Sequence, residues 1–306
     1  MALMEIIEID RIDRTDTRFC VSFPLEDPLL FESINTFGIR MPLLLLDTAP
    51  HTVVTGFKRL DVACRLGLTT VPCSIRSMNE KDALLTSLND NIARPLNMIE
   101  GALGVEKMSG LGLPAKEIYA MMKLLGHEPH EKLLKNLLEI ARADRQTKEF
   151  LLKHRANMTH AELLLGFSSA ERSEIIALLC DMHLTYSQLR EILQLLLLVK
   201  AKEEGIPFEE FPRPTSPDVL KLSLKKRTHP ILSTFEQQLK EILAKAALPP
   251  KISVKVDPFF EKEFIDIDIK ARNVEDVEET IGSLDGLIKN GWLRSILELT
   301  KGTHRN

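Results

Sequence analysis

Aromatic residues and cysteines are scarce in this chain. One Trp and two Tyr stand among 306 residues, and aromatic side chains make up 5% of the sequence. An extended aromatic platform for stacking single-stranded nucleic acid is therefore excluded as the main binding device. The four cysteines form no CxxC pair, which predicts free thiols in a reducing compartment instead of a disulfide framework or a zinc site. They are Cys20, Cys64, Cys73 and Cys180.

Long apolar runs and a strong net charge are also missing. The longest apolar stretch, Leu193 to Val199, is interrupted by Gln194 and is far shorter than the roughly 20 residues that cross a bilayer. The first ten residues hold carboxylates where a secretory signal needs a basic segment. Forty Lys and Arg stand against 44 Asp and Glu, a net charge of -4, which excludes a globally basic coat for nucleic acid. We expect a cytoplasmic protein with no membrane contact.

Hydrophobic periodicity predicts an α+β, mostly helical fold class and divides the chain into four parts. We expect a small mixed α/β domain over residues 1–100, an all-α domain over 101–204, a linker over 205–228 and a small ββα domain over 229–306. Prolines between Pro207 and Pro217 predict the linker, because proline disrupts a continuing helix. Two strands and one helix bury too little apolar surface alone, so we expect the last domain to dimerise.

The first candidate site lies where a predicted strand meets a predicted helix, in the segment TGFKRLDVACRLG (residues 55–67). Gly56 permits a tight turn, and Lys58 and Arg59 fall in the first turn of the helix. Free N–H groups at a helix start, together with two cations, form a site suited to phosphate. The alternative is a helix that simply carries two solvated cations.

The second candidate site is the segment LNDNIARPLNMIEGA (residues 88–102). Asn91 and Arg94 share one face of a predicted helix. Asp90 and Asn91 offer the oxygen ligands that suit Mg²⁺, and the guanidinium of Arg94 suits phosphate. Asn97, followed three residues later by a glutamate, predicts a capping box at the start of the next helix.

In order and spacing, these segments resemble the ParB family of chromosome and plasmid partition proteins. The resemblance runs from LLFESINTFGIRMPLLLL (residues 29–46) through the box Gly56-Phe57-Lys58-Arg59 and VPCSIR (residues 71–76) to the segment from Asp90 to Arg94. It implies a ParB/sulfiredoxin-like N-terminal fold. The middle helices resemble the family's helix-turn-helix domain, and the tail resembles its C-terminal dimerisation domain.

The resemblance implies a homodimeric clamp on double-stranded DNA at the nucleoid, which binds CTP with Mg²⁺ and works with a ParA-type partition ATPase. Its phosphate-binding residues would be Gly56, Lys58, Arg59 and Arg94. Asp90 and Asn91 would serve the metal. The helix after Gly126 would contact DNA through His127, His130, Lys132 and Lys135.

Several residues depart from the family pattern. Phe57 stands where the family commonly has a glutamate linked to nucleotide hydrolysis, and a phenyl ring can neither orient water nor accept a proton, so we assign no catalytic residue. Lys58 replaces an arginine and loses bidentate geometry on phosphate. Asp90 replaces a longer glutamate. Glu128 and Glu131 open the predicted DNA-contacting helix, where cations are favoured.

Three functions stay open at this point. One is the partition clamp, a second is a ParB-fold enzyme such as a nucleotide-dependent kinase or nuclease, and a third is a transcription regulator without a partition role. The long helical middle and the dimerising tail favour the clamp, because a small-substrate enzyme needs neither. Sulfinic-acid reduction, the activity of sulfiredoxins, is disfavoured because the segment from Thr55 to Arg59 holds no thiol.

Overall fold

The computed structural model describes residues 4–92, 94–203, 205–211, 216–246, 248–257 and 264–301. The chain forms two compact units, Met1–Leu193 and Gln194–Asn306. The predicted domains 1–100 and 101–204 thus fall largely in one unit, and the division lies inside a helix instead of at residue 204. No helix in the described part combines the length and apolar character needed to cross a membrane.

The first unit begins with the predicted α/β domain. Its elements are β1 (Met4–Glu8), β2 (Ile12–Asp13), α1 (Pro28–Phe37), β3 (Leu43–Leu46), β4 (His51–Thr55), α2 (Phe57–Arg65), β5 (Thr70–Arg76) and α3 (Glu80–Ile92). The strands form a mixed sheet in the order β1-β5-β3-β4-β2, with β3 antiparallel to β4 and parallel to β5. Because Leu44 pairs with Thr55, the start of β3 lies beside the end of β4, where α2 begins.

A hydrophobic core fixes this sheet against α2. Leu43, Leu45, Val53 and Val71 are fully buried, and Leu60 of α2 packs on the same cluster. Burying a leucine or valine side chain contributes about 1.5–3 kcal/mol, so these positions hold the sheet edge and the start of α2 in a fixed relation. The first turn of α2 is thereby held rigidly beside the first residues of β3.

Seven helices follow, and a side chain caps the N-terminus of most of them. They are α4 (Met98–Gly110), α5 (Ala115–Leu124), α6 (Glu131–Arg142), α7 (Arg145–Lys153), α8 (Met158–Leu165), α9 (Ser169–Leu179) and α10 (Tyr186–Lys202). The capping box predicted at Asn97 is present, with both reciprocal hydrogen bonds to Glu100. The division between the two units lies within α10.

The second unit contains α11 (Pro217–Thr228), α12 (Pro230–Ala246), β6 (Ile252–Val256), β7 (Ile265–Ile269), α13 (Val274–Lys289) and α14 (Trp292–Lys301). The linker predicted over 205–228 is wrong for residues 217–228, which form α11. Pro217 lies in the first turn after the N-cap Ser216, a place where proline favours a helix instead of ending it. Residues 212–215 of that linker lie outside the described residues. The terminal helix α14 adds to the predicted ββα arrangement.

Candidate functional site

The six residues predicted from the two candidate segments line a single cleft of about 270 Å³. Gly56, Lys58 and Arg59 come from the start of α2, and Asp90, Asn91 and Arg94 come from the end of α3 and the turn after it. The other lining residues are Ser22, Leu30, Met41 and Phe57. We call this space the α2–α3 cleft. Segments thirty residues apart in sequence are brought together because α3 packs against β4, the strand that leads into α2.

Gly56 is the N-cap residue of α2 and has a backbone that favours glycine. Its φ is 102°, in the left-handed region, and a Cβ atom there would lie 2.9 Å from Cγ of Leu43. No side chain caps α2, so the N–H groups of its first turn, which belong to residues that line the cleft, have no capping side chain. An anion at this position would receive these hydrogen bonds together with the positive end of the helix dipole.

Arg59 is held in place by backbone carbonyls. Its Nη1 atom donates to the carbonyl oxygens of Met41 (2.7 Å) and Pro42 (2.9 Å). Its Nη2 atom lies beside Gly56, at the start of α2. Burial lowers the pKa of Arg59, and the nearby charge of Asp90 partly offsets that effect. Among the described residues, no carboxylate forms a salt bridge with Arg59, so this partly buried guanidinium favours an added anion.

Lys58 has a weak internal partner. Its Nζ atom lies 3.4 Å from Oδ2 of Asp27, and both side chains are partly exposed. Oδ1 of Asp27 accepts a hydrogen bond from the N–H of Leu30, so Asp27 is the N-cap of α1 as well. Ion pairs with this degree of solvent access contribute about 1 kcal/mol or less. Lys58 therefore gives up its partner at little cost.

Arg94 is held far more tightly, by Glu100. Its Nη1 and Nη2 atoms donate to the two carboxylate oxygens at 2.7 and 2.6 Å. The Glu100 side chain is almost fully buried and also accepts hydrogen bonds from the N–H groups of Phe23 and Asn97. The hydrogen bond to Glu100 raises the pKa of Arg94, against the lowering effect of burial. This pair joins the turn after α3 to the start of α4.

Asp90 and Asn91 differ in how well they suit a metal ion. Asp90 is exposed at the rim of the cleft, and its carboxylate is a hard oxygen ligand of the kind that Mg²⁺ takes alongside phosphate oxygens and water. Oδ1 of Asn91 already accepts hydrogen bonds from Ser22 (3.3 Å) and Arg94 (3.2 Å). Its amide nitrogen donates to the carbonyl of Ser87. Asp90 therefore fits the metal role, whereas Asn91 is oriented as a structural link.

Phe57 lines the cleft, and three residues that the sequence did not indicate contact the predicted site residues. The ring of Phe57 packs against the core of the sheet and also lines the cleft, so an apolar surface stands where the family commonly carries a carboxylate. Sequence reasoning missed Ser22, Asp27 and the carbonyl of Met41, all of which contact predicted site residues. The sequence does carry a signal for the capping role of Asp27, because an aspartate directly before a proline is typical of a helix N-cap.

The helix predicted to contact DNA is α6, and it begins later than the sequence suggests. Lys132 and Lys135 lie on its solvent face, with side chains 71% and 77% exposed. Lys132 lies 3.2 Å from Glu162, and Lys135 lies 3.8 Å from Glu139. Both pairs are exposed and are easily exchanged for a phosphate group. The opposite face of α6 is buried through Leu133, Asn136, Leu137, Ile140 and Ala141.

The two predicted histidines lie in the turn before α6, which follows Gly126. His130 is the N-cap of α6, and its Nδ1 atom accepts a hydrogen bond from the N–H of Leu133. His127 is half-buried and lines a separate cleft of about 240 Å³ with Asn97 and Met98. The structure therefore gives His130 a capping role and places His127 at a separate cleft, while the two lysines face solvent.

These observations define a class of protein in which a small mixed-sheet domain with an anion-binding type of cleft at its edge is followed by a helical domain. Residues 5–92 match the family model of the ParB N-terminal domain. This match confirms the resemblance to the ParB family predicted from the sequence.

Relatives extend the similarity into the helical domain. The chain is 26% identical over 169 residues to a probable chromosome-partitioning protein ParB of Vibrio cholerae, covering 54% of this chain and 56% of that protein. It is 23% identical over 246 residues to a nucleoid occlusion protein of Lysinibacillus sphaericus, covering 79% and 77%. The chain thus spans about half the length of the Vibrio protein.

A solved structure of the C-terminally truncated chromosome-partitioning protein ParB from Caulobacter crescentus, complexed with CTP-gamma-S, covers 57% of this chain and 99% of that chain. The sequence identity is 24% and the TM-score is 0.27.

Proposed function

We propose that this protein is a DNA-binding clamp of the ParB type, which acts in chromosome or plasmid partition or in nucleoid occlusion. The observation that carries the proposal is the assembly of Gly56, Lys58, Arg59, Asp90 and Arg94 around one cleft, inside a domain that matches the ParB N-terminal domain. On the resemblance to the family, the clamp associates with the nucleoid and works with a ParA-type ATPase.

The α2–α3 cleft binds the phosphates of a nucleotide, which the resemblance identifies as CTP. The first-turn N–H groups of α2 and the Nη2 atom of Arg59 provide donors in fixed positions, and Lys58 adds a mobile charge. Mg²⁺, when bound, neutralises part of the phosphate charge, and Asp90 is the cleft residue that fits it. Phe57 brings no proton acceptor to the cleft, so the proposal includes binding and no catalytic residue.

DNA contact is assigned to α6 on the resemblance to a helix-turn-helix. Lys132 and Lys135 supply two exposed cations on one face, which is enough to contact the phosphate backbone and too little to hold DNA strongly alone. Residues 101–200 carry 13 cations and 12 anions, so the domain attracts DNA only weakly through its net charge. Two linked copies would raise the effective affinity without new contacts.

Dimerisation is assigned to the second unit because α13 exposes an apolar stripe. Val274, Val277, Ile281 and Ile288 are all exposed, and their spacing of three, four and seven residues is the heptad pattern of a helix that packs against another helix. The neighbouring strand β7 also exposes Ile269. A second copy of the same chain would cover this surface through an isologous interface.

The experiment that tests the nucleotide site is calorimetric titration with CTP, ATP and GTP in Mg²⁺, with and without fragments of genomic DNA. We expect CTP to bind and Arg59→Ala to lose binding, because the fixed donor beside the helix start is removed. Arg65→Ala is the matched control, since Arg65 lies in the last turn of the same helix and outside the cleft. Equal CTP binding by Arg59→Ala would refute the site, and a wild-type protein that binds no nucleotide would refute the nucleotide function.

A further inference from the structure

The α2–α3 cleft is formally neutral without a ligand. Its three cations, Lys58, Arg59 and Arg94, are matched by three carboxylates on residues that line or contact it, Asp27, Asp90 and Glu100. A phosphate-bearing ligand adds several negative charges to this balanced set. The N–H groups in the first turn of α2 and the Arg59 side chain have no carboxylate partner among the described residues, whereas Lys58 and Arg94 bind such a ligand only by exchanging an internal partner for its oxygens.

Arg94 is the cation that an anion frees least easily. Nη1 donates to Glu100 and to the carbonyl of Pro95, and Nη2 donates to Glu100 and Asn91, so all four of its terminal N–H groups are in use. Moving Arg94 away would leave the carboxylate of Glu100 buried without its counter-ion, which is strongly unfavourable.

Lys58, in contrast to Arg94, is easily released from its internal partner. Its contact with Asp27 is a single one, at 3.4 Å between partly exposed groups. Asp27 caps α1 through Oδ1 and contacts Lys58 through Oδ2, so it can release the lysine and keep the cap. Once released, Oδ2 is hydrated by solvent. Among the three cations, Lys58 is therefore the one that changes partner.

The chain around Asp27 is anchored independently of this ion pair. Glu26 accepts a hydrogen bond from Arg145 of α7 at 2.7 Å, and the ring of Phe23 lies 5.9 Å from Nζ of Lys148. The carbonyl of Phe23 also accepts a hydrogen bond from Asn97. Asp27 is thus held close to Lys58 by the fold, and its carboxylate stays at the cleft whether or not the pair is formed.

We propose that Asp27 is an internal competitor for Lys58, which a phosphate group displaces, and that it thereby lowers the affinity of the cleft for anions. This inference rests on the proposed nucleotide-binding function. Asn is as good an N-cap as Asp, so Asp27→Asn removes the competing charge and keeps the start of α1. The capping role and the competing role of the residue are therefore separable.

The test is titration of the full chain with CTP in Mg²⁺ and, separately, with inorganic triphosphate. We expect Asp27→Asn to bind both about two- to fivefold more tightly, the range that corresponds to one partly exposed ion pair. The melting temperature should stay unchanged. Asp144→Asn is the matched control, because Asp144 is the N-cap of α7, the substitution removes the same charge, and the residue lies outside the cleft lining. It should bind like the wild type.

A second comparison isolates Lys58. In a Lys58→Gln background, adding Asp27→Asn should change the affinity little, because the cation for which Asp27 competes is gone. An Asp27→Asn protein that binds no more tightly than the wild type would overturn the inference and leave the proposed function standing. Binding of triphosphate but not CTP, with the Asp27→Asn gain, would support the inference and refute the choice of nucleotide. Absence of binding by both proteins would refute both, and binding by Asp27→Asn alone would support the competition.

Discussion

Arg94 and Glu100 allow the most direct test of how the cleft is built. The carboxylate of Glu100 has no solvent exposure and accepts four N–H groups, two from Arg94 and one each from Phe23 and Asn97. Arg94→Met removes the counter-ion and keeps an unbranched side chain in its place. Glu100 is then left as a buried carboxylate with two neutral donors.

The size of the effect follows from the burial of the two partners. Removing one partner of a fully buried pair costs about 3–5 kcal/mol. The Arg94 side chain is 41% exposed, so water can replace part of what the guanidinium provides, and we expect a cost of about 2–3 kcal/mol. For a unit of this size that lowers the melting temperature by about 4–12 °C.

The assay is thermal unfolding of the full chain followed by circular dichroism, with a double-mutant cycle. In Arg94→Met/Glu100→Gln the unpaired charge is absent, so the double variant should be more stable than the sum of the single effects predicts, by about 1–3 kcal/mol. Arg11→Met is the control, because its pair with Glu8 is at 3.5 Å and both side chains are exposed, and it should lower stability by less than about 1 kcal/mol. Strict additivity of the two changes, or a wild-type melting temperature for Arg94→Met, would refute the reasoning.

Two further predictions concern pH and assembly. Burial alone would raise the pKa of Asp16, but hydrogen bonds from Arg18 and Thr52 outweigh this effect and hold the pKa below its ordinary value. The stability that these hydrogen bonds contribute is therefore present above about pH 4 and is lost as the pH falls further. Asp16→Asn should lower the melting temperature at pH 7 and progressively less below pH 4, and a difference independent of pH would contradict this. Ile281→Glu should convert the full chain from dimer to monomer by light scattering, whereas Leu29→Glu, on α1, should not, and an unchanged mass for Ile281→Glu would count against the α13 interface.

The sequence predicts well the features that depend on local rules. Gly56 begins α2 in the left-handed region, at the tight turn that the sequence predicts for it. The capping box at Asn97 follows from residue types three positions apart. The grouping of six candidate residues rested on the resemblance to a family, and the fold brings them to one cleft.

The internal partners of the cations could not be predicted, because they depend on tertiary packing. Lys58 meets Asp27 across 31 positions of sequence, and the carbonyl of Met41 reaches Arg59 only because β3 begins beside the end of β4. The sequence correctly predicts that Glu100 belongs to a helix cap. Its pairing with Arg94 could not be predicted, because it depends on the path of the chain between the two residues. Proline content alone also failed to predict α11, since the effect of a proline depends on its position in the helix.

The charge balance of the cleft bears on the acidic character of the whole chain. A net charge of -4 would oppose a nucleotide if binding relied on a diffuse positive potential. In the proposed site an anion would instead bind to donors that the fold has already positioned, namely the first turn of α2 and the guanidinium of Arg59, whose Nη1 is fixed by two carbonyls. Because preorganised donors lose little entropy on binding and act at short range, the cleft can select an anion within an acidic protein. On the proposed competition at Lys58, a single substitution at Asp27 should change the affinity without altering the fold.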